Sequence, residues 1–291
     1  MAHVTVPAAD AILDKEFKVL DHGFVRLIDY MGSDESIVQA ARVSYGKGTK
    51  KVSEDRGLIR YLMRHKHTTP FEMVEFKFHI KLPIFVARQW IRHRTANVNE
   101  YSGRYSVMKE EFYLPEPEDI AYQSKSNRQG RDDTALPDEV KNEFRSHAES
   151  TQKELYEHYL KFIDQGVARE LSRINLPLSL YTEWYWKIDL HNLFHFLRLR
   201  MDAHAQQEIR AFADVMAEMV RKVCPVAYEA FEDYSLYASY FSGPELAILA
   251  PYLQQAQLDL DQLTEKGLSK REAREFLDKL DQIKSSTPAE D

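Results

Sequence analysis

The sequence predicts an α+β fold: a single domain with a mixed or antiparallel sheet packed by helices, followed by a C-terminal helical extension. Three observations carry this. In residues 74–82, Val74, Phe76, Phe78, Ile80 and Leu82 alternate with Glu75, Lys77, His79 and Lys81, the period of a strand with one buried face. In residues 181–188, Tyr181, Thr182, Trp184, Tyr185, Trp186 and Ile188 suit a buried strand. Residues 138–163 and 205–223 show apolar positions at helical spacing over lengths that strands do not reach. Neither repeats nor a composition break interrupt the first 235 residues. The expected division is therefore a domain over 18–235 and an extension over 236–291.

The elements follow in order. Residues 1–17 read as an irregular lead-in. Residues 23–30 read as a strand stopped at Gly32, and Ser33 or Asp34 can cap a helix through Ile37, Val38, Ala41 and Val43. Gly46 and Gly48 mark a loop, and Ser53, Glu54 and Asp55 open a helix with Leu58, Ile59, Leu62 and Met63 on its apolar face. After the 74–82 strand, Pro83 suits the first position of a helix over 84–91 that frays near Arg94. Asn97, Asn99, Ser102 and Gly103 predict a loop before an extended piece over 105–114. Residues 115–137 are polar and turn-rich, a surface excursion. Helices are expected over 138–163, 167–174, 191–201 and 205–223, the last stopping before Pro225. The tail from about residue 244 is amphipathic and charged.

Composition narrows the function classes. A net charge of -7 means that a site for a phosphorylated ligand must be a local basic patch, not the whole surface. One cysteine, Cys224, excludes an intramolecular disulfide and a Cys-cluster metal site, and points to a reducing, cytoplasmic compartment. The N-terminus lacks a secretory pattern, and no apolar run is long enough to span a membrane.

The chemistry concentrates between Arg88 and Arg104, where four arginines and His93 face one acid, Glu100. Arginine is the side chain best shaped for bidentate phosphate contacts. A helix ending in Arg92-His93-Arg94 sets cations at its negative dipole end, and Asn97, Asn99, Ser102 and Gly103 add hydrogen-bonding groups. On spacing alone, a helix end with a solvated loop and an anion site are equally good readings.

Arg92-His93-Arg94, then seven residues, then Ser102 resembles the signature motif of flavin-dependent thymidylate synthases. Ala41-Arg42-Val43-Ser44, His67-Thr68-Thr69-Pro70-Phe71-Glu72 and the run from Pro83 to Trp90 resemble upstream blocks of that family. Leu176-Pro177, Leu180-Tyr181-Thr182, Leu197-Arg198-Leu199-Arg200 and His204-Ala205-Gln206 resemble downstream blocks, in the family's order over about residues 20–235. The resemblance implies reductive methylation of dUMP to dTMP with 5,10-methylenetetrahydrofolate as carbon donor, FAD as hydride source and NADPH as its reductant. It implies a homotetramer with active sites at subunit interfaces, and neither a nucleic-acid nor a membrane partner. Thr69, Arg92, His93, Arg94, Glu100, Asp189, His191 and His195 fall at FAD positions. Gln89, Trp90, Ile91, Arg92, Glu100, Tyr101, Ser102, Gly103, Arg104, Arg173 and Arg200 fall at dUMP positions. Arg200 matches the catalytic arginine that favours ionisation at uracil N3. At Asp189 and His191 many relatives carry Asn and Arg, so the resemblance is imperfect there.

Other readings compete. His191, His195, His204 and Glu208 have formal metal-ligand spacing, which would suit a nucleotide hydrolase. Surface or core histidines are the simpler reading, and no metal is expected. An arginine loop alone would also suit a non-catalytic nucleotide- or RNA-binding module. Trp184, Tyr185 and Trp186 could stack on a flavin, but a buried aromatic strand is the default.

Overall fold

A computed structural model describes residues 4–43, 52–125 and 130–285. The loop expected at 46–48, Ser44, part of the 115–137 excursion and the two ends of the chain lie outside the described residues.

The lead-in is ordered, against expectation. A helical turn, Pro7–Asp10 (α1), precedes the strand Glu16–Val19 (β1), which pairs antiparallel with Gly23–Met31 (β2). The Tyr30 hydroxyl donates to Asp10 at 2.5 Å and accepts from Val6 N at 2.7 Å, which ties the segment down. Helices Asp34–Val43 (α2), Val52–Arg64 (α3) and the short Thr69–Glu72 (α4) lead to the strand Glu75–Pro83 (β3). Pro83 closes β3 and is the N-cap of Ile84–Trp90 (α5), one position earlier than expected; its extended backbone, ψ 146°, serves both roles. Asn97–Glu100 (β4) is a strand where a loop was expected. Its four side chains are exposed, so it has no hydrophobic period; it is a strand because it adds to an existing edge.

The excursion contains a hairpin, Ala121–Gln123 (β5) with Arg131–Ala135 (β6). The long helix Asp138–Asp164 (α6) follows, and the expected 167–174 helix is a short turn, Arg169–Ser172 (α7), finished by a 3-10 turn over Arg173–Asn175. Tyr181–Asp189 (β7), Leu190–Arg200 (α8) and Gln207–Val223 (α9) complete the predicted set. Beyond Pro225 the chain turns directly into Pro225–Phe231 (α10) and a π-helical turn, Glu232–Leu236. The Pro that ends one helix opens the next.

The five-stranded sheet has the order β1-β2-β3-β7-β4, and every pairing is antiparallel. Its buried face carries Val25, Leu27, Phe76, Phe78, Ile80, Trp184, Trp186 and Ile188, each at most 3% exposed. Trp90, Phe196 and Phe212 cover that face; the Trp90 ring lies 4.5 Å from Phe196 and 5.3 Å edge-on from Trp186. Burying each such side chain contributes about 1.5–3 kcal/mol. Trp184 and Trp186 are thus core, as the default reading expected, whereas Tyr185 lies on the other face, 43% exposed and stacked on His79. The opposite face is polar but paired: Arg26 meets His79 at 2.6 Å, His79 meets Glu183 at 3.1 Å, and Lys187 meets Glu75 at 2.8 Å. A smaller core joins α6 to the 105–114 segment. There Tyr159 accepts from Met108 N at 2.9 Å and Tyr156 donates to Met108 O at 2.8 Å.

By its contacts the chain divides into two compact units, Met1–Leu236 and Tyr237–Asp291. The second holds helices Gly243–Leu253 (α11), Leu260–Glu265 (α12) and Lys270–Ser285 (α13), packed through Ala250, Leu263, Ala273 and Leu280. No helix among the described residues is long and apolar enough to cross a membrane.

Asp34 fixes the start of α10 from α2: its two carboxylate oxygens accept from Val226 N and Ala227 N, both at 2.9 Å. Asp34→Ala orphans two helix N–H groups and should cost about 1–2 kcal/mol. The denaturant midpoint should fall accordingly, and Asp34→Asn, which keeps one acceptor, should lose less.

Candidate active site

Two helices leave the central strand pair and converge. β3 runs into α5, β7 runs into α8, and the residues just beyond α5 together with one side of α8 border a cleft of about 370 Å³. Arg92, His93, Arg94 and Thr95 line it from beyond α5, and Asn192, His195, Leu199 and Arg200 from α8, over Ile188. Three arginines and two histidines thus meet with no acid on the wall. Cations near helix C-termini are favoured there by the carbonyl dipoles. Among the described residues, Arg92 and Arg94 have no ionic partner.

Arg200 is the best-defined group. Its Nε donates to His93 Nε2 at 3.0 Å, so that nitrogen is the lone-pair atom of a neutral imidazole. Burial first, then the charge of Arg200, then His195 push the His93 pKa down to about 4. His195, with its ring 5.9 Å from His93, is also held below the ordinary histidine value, by burial and then by Arg198, His191 and Arg200. The half-buried Arg200 is itself pushed down by desolvation, with no carboxylate to offset it. An anion or polarised carbonyl entering the cleft would supply the missing counter-charge.

A second group of predicted residues lies at the loop after β4. Gly103 is buried, and a Cβ there would sit 2.9 Å from Met108 Sδ and 3.1 Å from Arg173 Cδ, so a side chain at this position would push both neighbours out of place. Arg104 pairs with Glu170 at 3.0 Å, and Arg169 donates to Tyr105 O at 2.9 Å. Tyr101 donates to Val107 O at 2.9 Å. The Ser102 hydroxyl accepts from Arg104 N at 3.3 Å, which leaves its own proton for a ligand. None of Tyr101, Ser102, Gly103, Arg104 or Arg173 lines the Arg200 cleft. Glu100 ends β4, and its Oε1 accepts from Thr182 at 2.8 Å.

The remaining predicted positions are scattered. Trp90 is fully buried in the core and does not line the cleft; Ile91 is 45% exposed. Among the described residues Gln89 Oε1 is buried without a partner, an acceptor that a ligand donor would satisfy. Thr69 is exposed at the start of α4, which packs against α8. Asp189 is the N-cap of α8: its carboxylate accepts from Asn192 N at 2.9 Å and Asn192 Nδ2 at 2.7 Å. The acid that departs from the family pattern therefore has a structural task. Asn192 and Thr95 are cleft residues that the sequence reading missed; the Asp189-x-x-Asn192 spacing at a helix start was the available signal for Asn192. Among the described residues no group of His, Cys, Asp or Glu could hold a metal. His204 instead pairs with Asp202 at 2.9 Å.

A family model described as "Thymidylate synthase complementing protein" matches residues 26–226. Proteins named flavin-dependent thymidylate synthase from Ehrlichia ruminantium (strain Gardel) and Treponema denticola are 57% and 58% identical to this chain. The first alignment covers 95% of this chain and 92% of that relative; the second covers 92% and 98%. Among solved structures, a UMP/dUMP methylase, PolB from Streptomyces cacaoi bound with 5-Br dUMP, is similar at a TM-score of 0.68 and 32% identity. That match covers 77% of this chain and 100% of the neighbour. The chain belongs to the flavin-dependent thymidylate synthase family.

The His93 shift has a definite sign. Its folded pKa of about 4 lies below the ordinary 6.5, so the unfolded chain takes up the proton first. The stability tied to neutral His93 is complete above pH 6.5 and is lost as pH falls towards 4. Chemical denaturation of the wild type and His93→Gln across this window should show the larger acid loss in the wild type. Parallel curves would refute the coupling.

Proposed function

We propose that this chain methylates dUMP reductively to dTMP, with methylenetetrahydrofolate as carbon donor and with FAD reduced by NADPH. The observation that carries the reading is Arg200: a half-buried guanidinium, oriented by a neutral histidine, in a cleft walled by cations and free of acids. Family membership supports the reaction class, and this geometry supports the assignment of Arg200 to it.

The residues present fit a flavin dinucleotide. Arg92, Arg94 and the α8 histidines would hold its anionic part, with Thr69 of the adjoining turn beside them. When bound, FAD supplies the hydride that NADPH delivers to it. Arg200 would face the pyrimidine, where a fixed cation stabilises negative charge on the ring and cannot itself serve as a base. Ser102 would donate to the nucleotide phosphate. No base stands ready to make it a nucleophile, because its neighbours Arg104 and Arg173 remain protonated. Cys224 is fully buried, and burial pushes its thiol pKa well up, so it is a structural thiol.

A homotetramer with shared sites agrees with two features of the single chain. The predicted dUMP residues fall into two groups, around Arg200 and around Gly103–Arg173, that do not line one cleft. A cleft of about 370 Å³ also lies at the small end of ligand sites, while FAD is a large ligand. Residues 18–235 are the proposed catalytic domain, and the 236–291 extension carries none of the assigned residues. The proposed compartment is the cytoplasm, where a lone thiol stays reduced.

The direct test is an absorbance spectrum of the purified protein with and without added FAD, followed by NADPH-dependent formation of dTMP from dUMP. A protein that takes up no flavin defeats the proposal. Arg200→Ala should abolish most methylation and leave NADPH-driven flavin reduction much less affected; equal loss of both would refute the assignment. Ser102→Ala removes one charge-assisted hydrogen bond, about 1.5–3 kcal/mol. It should weaken dUMP binding roughly ten- to a hundredfold and keep turnover at saturating dUMP. Complete loss in a folded, FAD-loaded variant would point to nucleophilic chemistry instead.

A further inference from the structure

Glu100 is the one carboxylate between Arg88 and Arg104, and the structure holds it in an unusual way. It ends β4 opposite Trp184 of β7, and Thr182 lies two residues before Trp184 on the same face. Side chains so placed are diagonal neighbours across a strand pair. The Thr182 side chain is buried, with the residue 2% exposed, and its hydroxyl donates to Glu100 Oε1 at 2.8 Å. Glu100 itself is exposed. Among the described residues, Oε1 has that one partner and Oε2 has none. A solvent-facing carboxylate would ordinarily sample several rotamers; this one is anchored from inside the protein with its second oxygen open.

The surroundings make the orientation matter. Tyr101 N donates to Glu183 O at 2.8 Å, which continues the strand pairing one residue past Glu100. Ser102 and Gly103 follow directly. Thr182 therefore sets the acceptor at the point where the sheet edge becomes the proposed nucleotide-binding loop.

We propose that Thr182 is a positioning residue: its buried hydroxyl fixes Glu100 so that Oε2 accepts a hydrogen bond from a sugar hydroxyl of the bound nucleotide. This rests on the assignment of dUMP as substrate. Thr182 does not touch the ligand; it removes the freedom that Glu100 would otherwise lose on binding.

The test is dUMP titration of the FAD-loaded protein, with wild-type binding and turnover first establishing the substrate. Failure of that first step would sink the functional assignment rather than the role of Thr182. Thr182→Val should weaken dUMP binding about tenfold, the scale of one well-made hydrogen bond to a charged group, and change kcat little. Thr182→Ser should restore affinity. In a Glu100→Ala background, Thr182→Val should have no further effect, because the carboxylate that it positions is gone. If the valine variant does not fold, Thr182→Ala removes the same hydroxyl and takes its place in the cycle. Unchanged affinity, failure of serine to rescue, or an equal loss in the Glu100→Ala background would each overturn the proposal.

Discussion

Much of the molecule depends on the pairing of β3 with β7. The two strands run antiparallel without a register shift, from Glu75 opposite Asp189 to Pro83 opposite Tyr181. Each passes straight into a helix, α5 after Pro83 and α8 after Asp189, and these junctions lie at opposite ends of the pair. The helices therefore return over the same buried face from opposite directions. That is why His93 and Arg200, 107 residues apart in sequence, can share a hydrogen bond. Because a register slip of one residue turns every side chain of a strand to the other face, the aromatic rows Phe76–Phe78 and Trp184–Trp186 also fix where the cationic cleft opens.

The cleft departs from the rule that buried or half-buried charges are paired. Two other largely buried cations have carboxylate partners: Lys81 with Glu111 at 2.7 Å and Arg42 with Asp55 at 2.6 Å. At Arg200 the nearest partner is a neutral imidazole, which orients the guanidinium without cancelling its charge. A carboxylate in the same position would satisfy Arg200 and compete with any anionic ligand. An imidazole held unprotonated leaves the field open, at the cost of a desolvated cation in the free protein.

How much of this was legible varied with the range of the interaction. The 74–82 strand was legible because its alternation is local and strict, and Arg92-His93-Arg94 stood out as charge against an acidic background. β4 was not, since Asn-Val-Asn-Glu has no hydrophobic period and is a strand only through the edge that it joins. β1 escaped for a similar reason: one of its four residues is buried. The Arg200–His93 contact and the Thr182–Glu100 contact depend on strand order and register, which no local pattern encodes. Asp189 shows the opposite error. Judged by family pattern it was a departure at a ligand position, yet its spacing to Asn192 is that of a helix cap.

The polar excursion shows why composition alone misjudges tethering. Residues 115–137 are rich in turn formers, yet they are bound to the start of α9 by one of the most buried acids in the protein. Glu208 is 1% exposed, receives an ion pair from Arg131 on β6, and accepts from Tyr113 at 3.0 Å and Gln206 at 2.9 Å. Gln207 adds hydrogen bonds to Asp119 and from Arg131. A carboxylate that deep is stable only with its partners in place, and removing one commonly costs about 3–5 kcal/mol. The hairpin thus cannot lift away without stranding that charge. The same network also holds the beginning of α9, and α9 is joined to Arg200 only through residues 201–206. Helix α8 is therefore restrained at both ends by carboxylates, by Asp189 at its cap and by Glu208 just beyond its exit, and neither acid lines the cationic cleft.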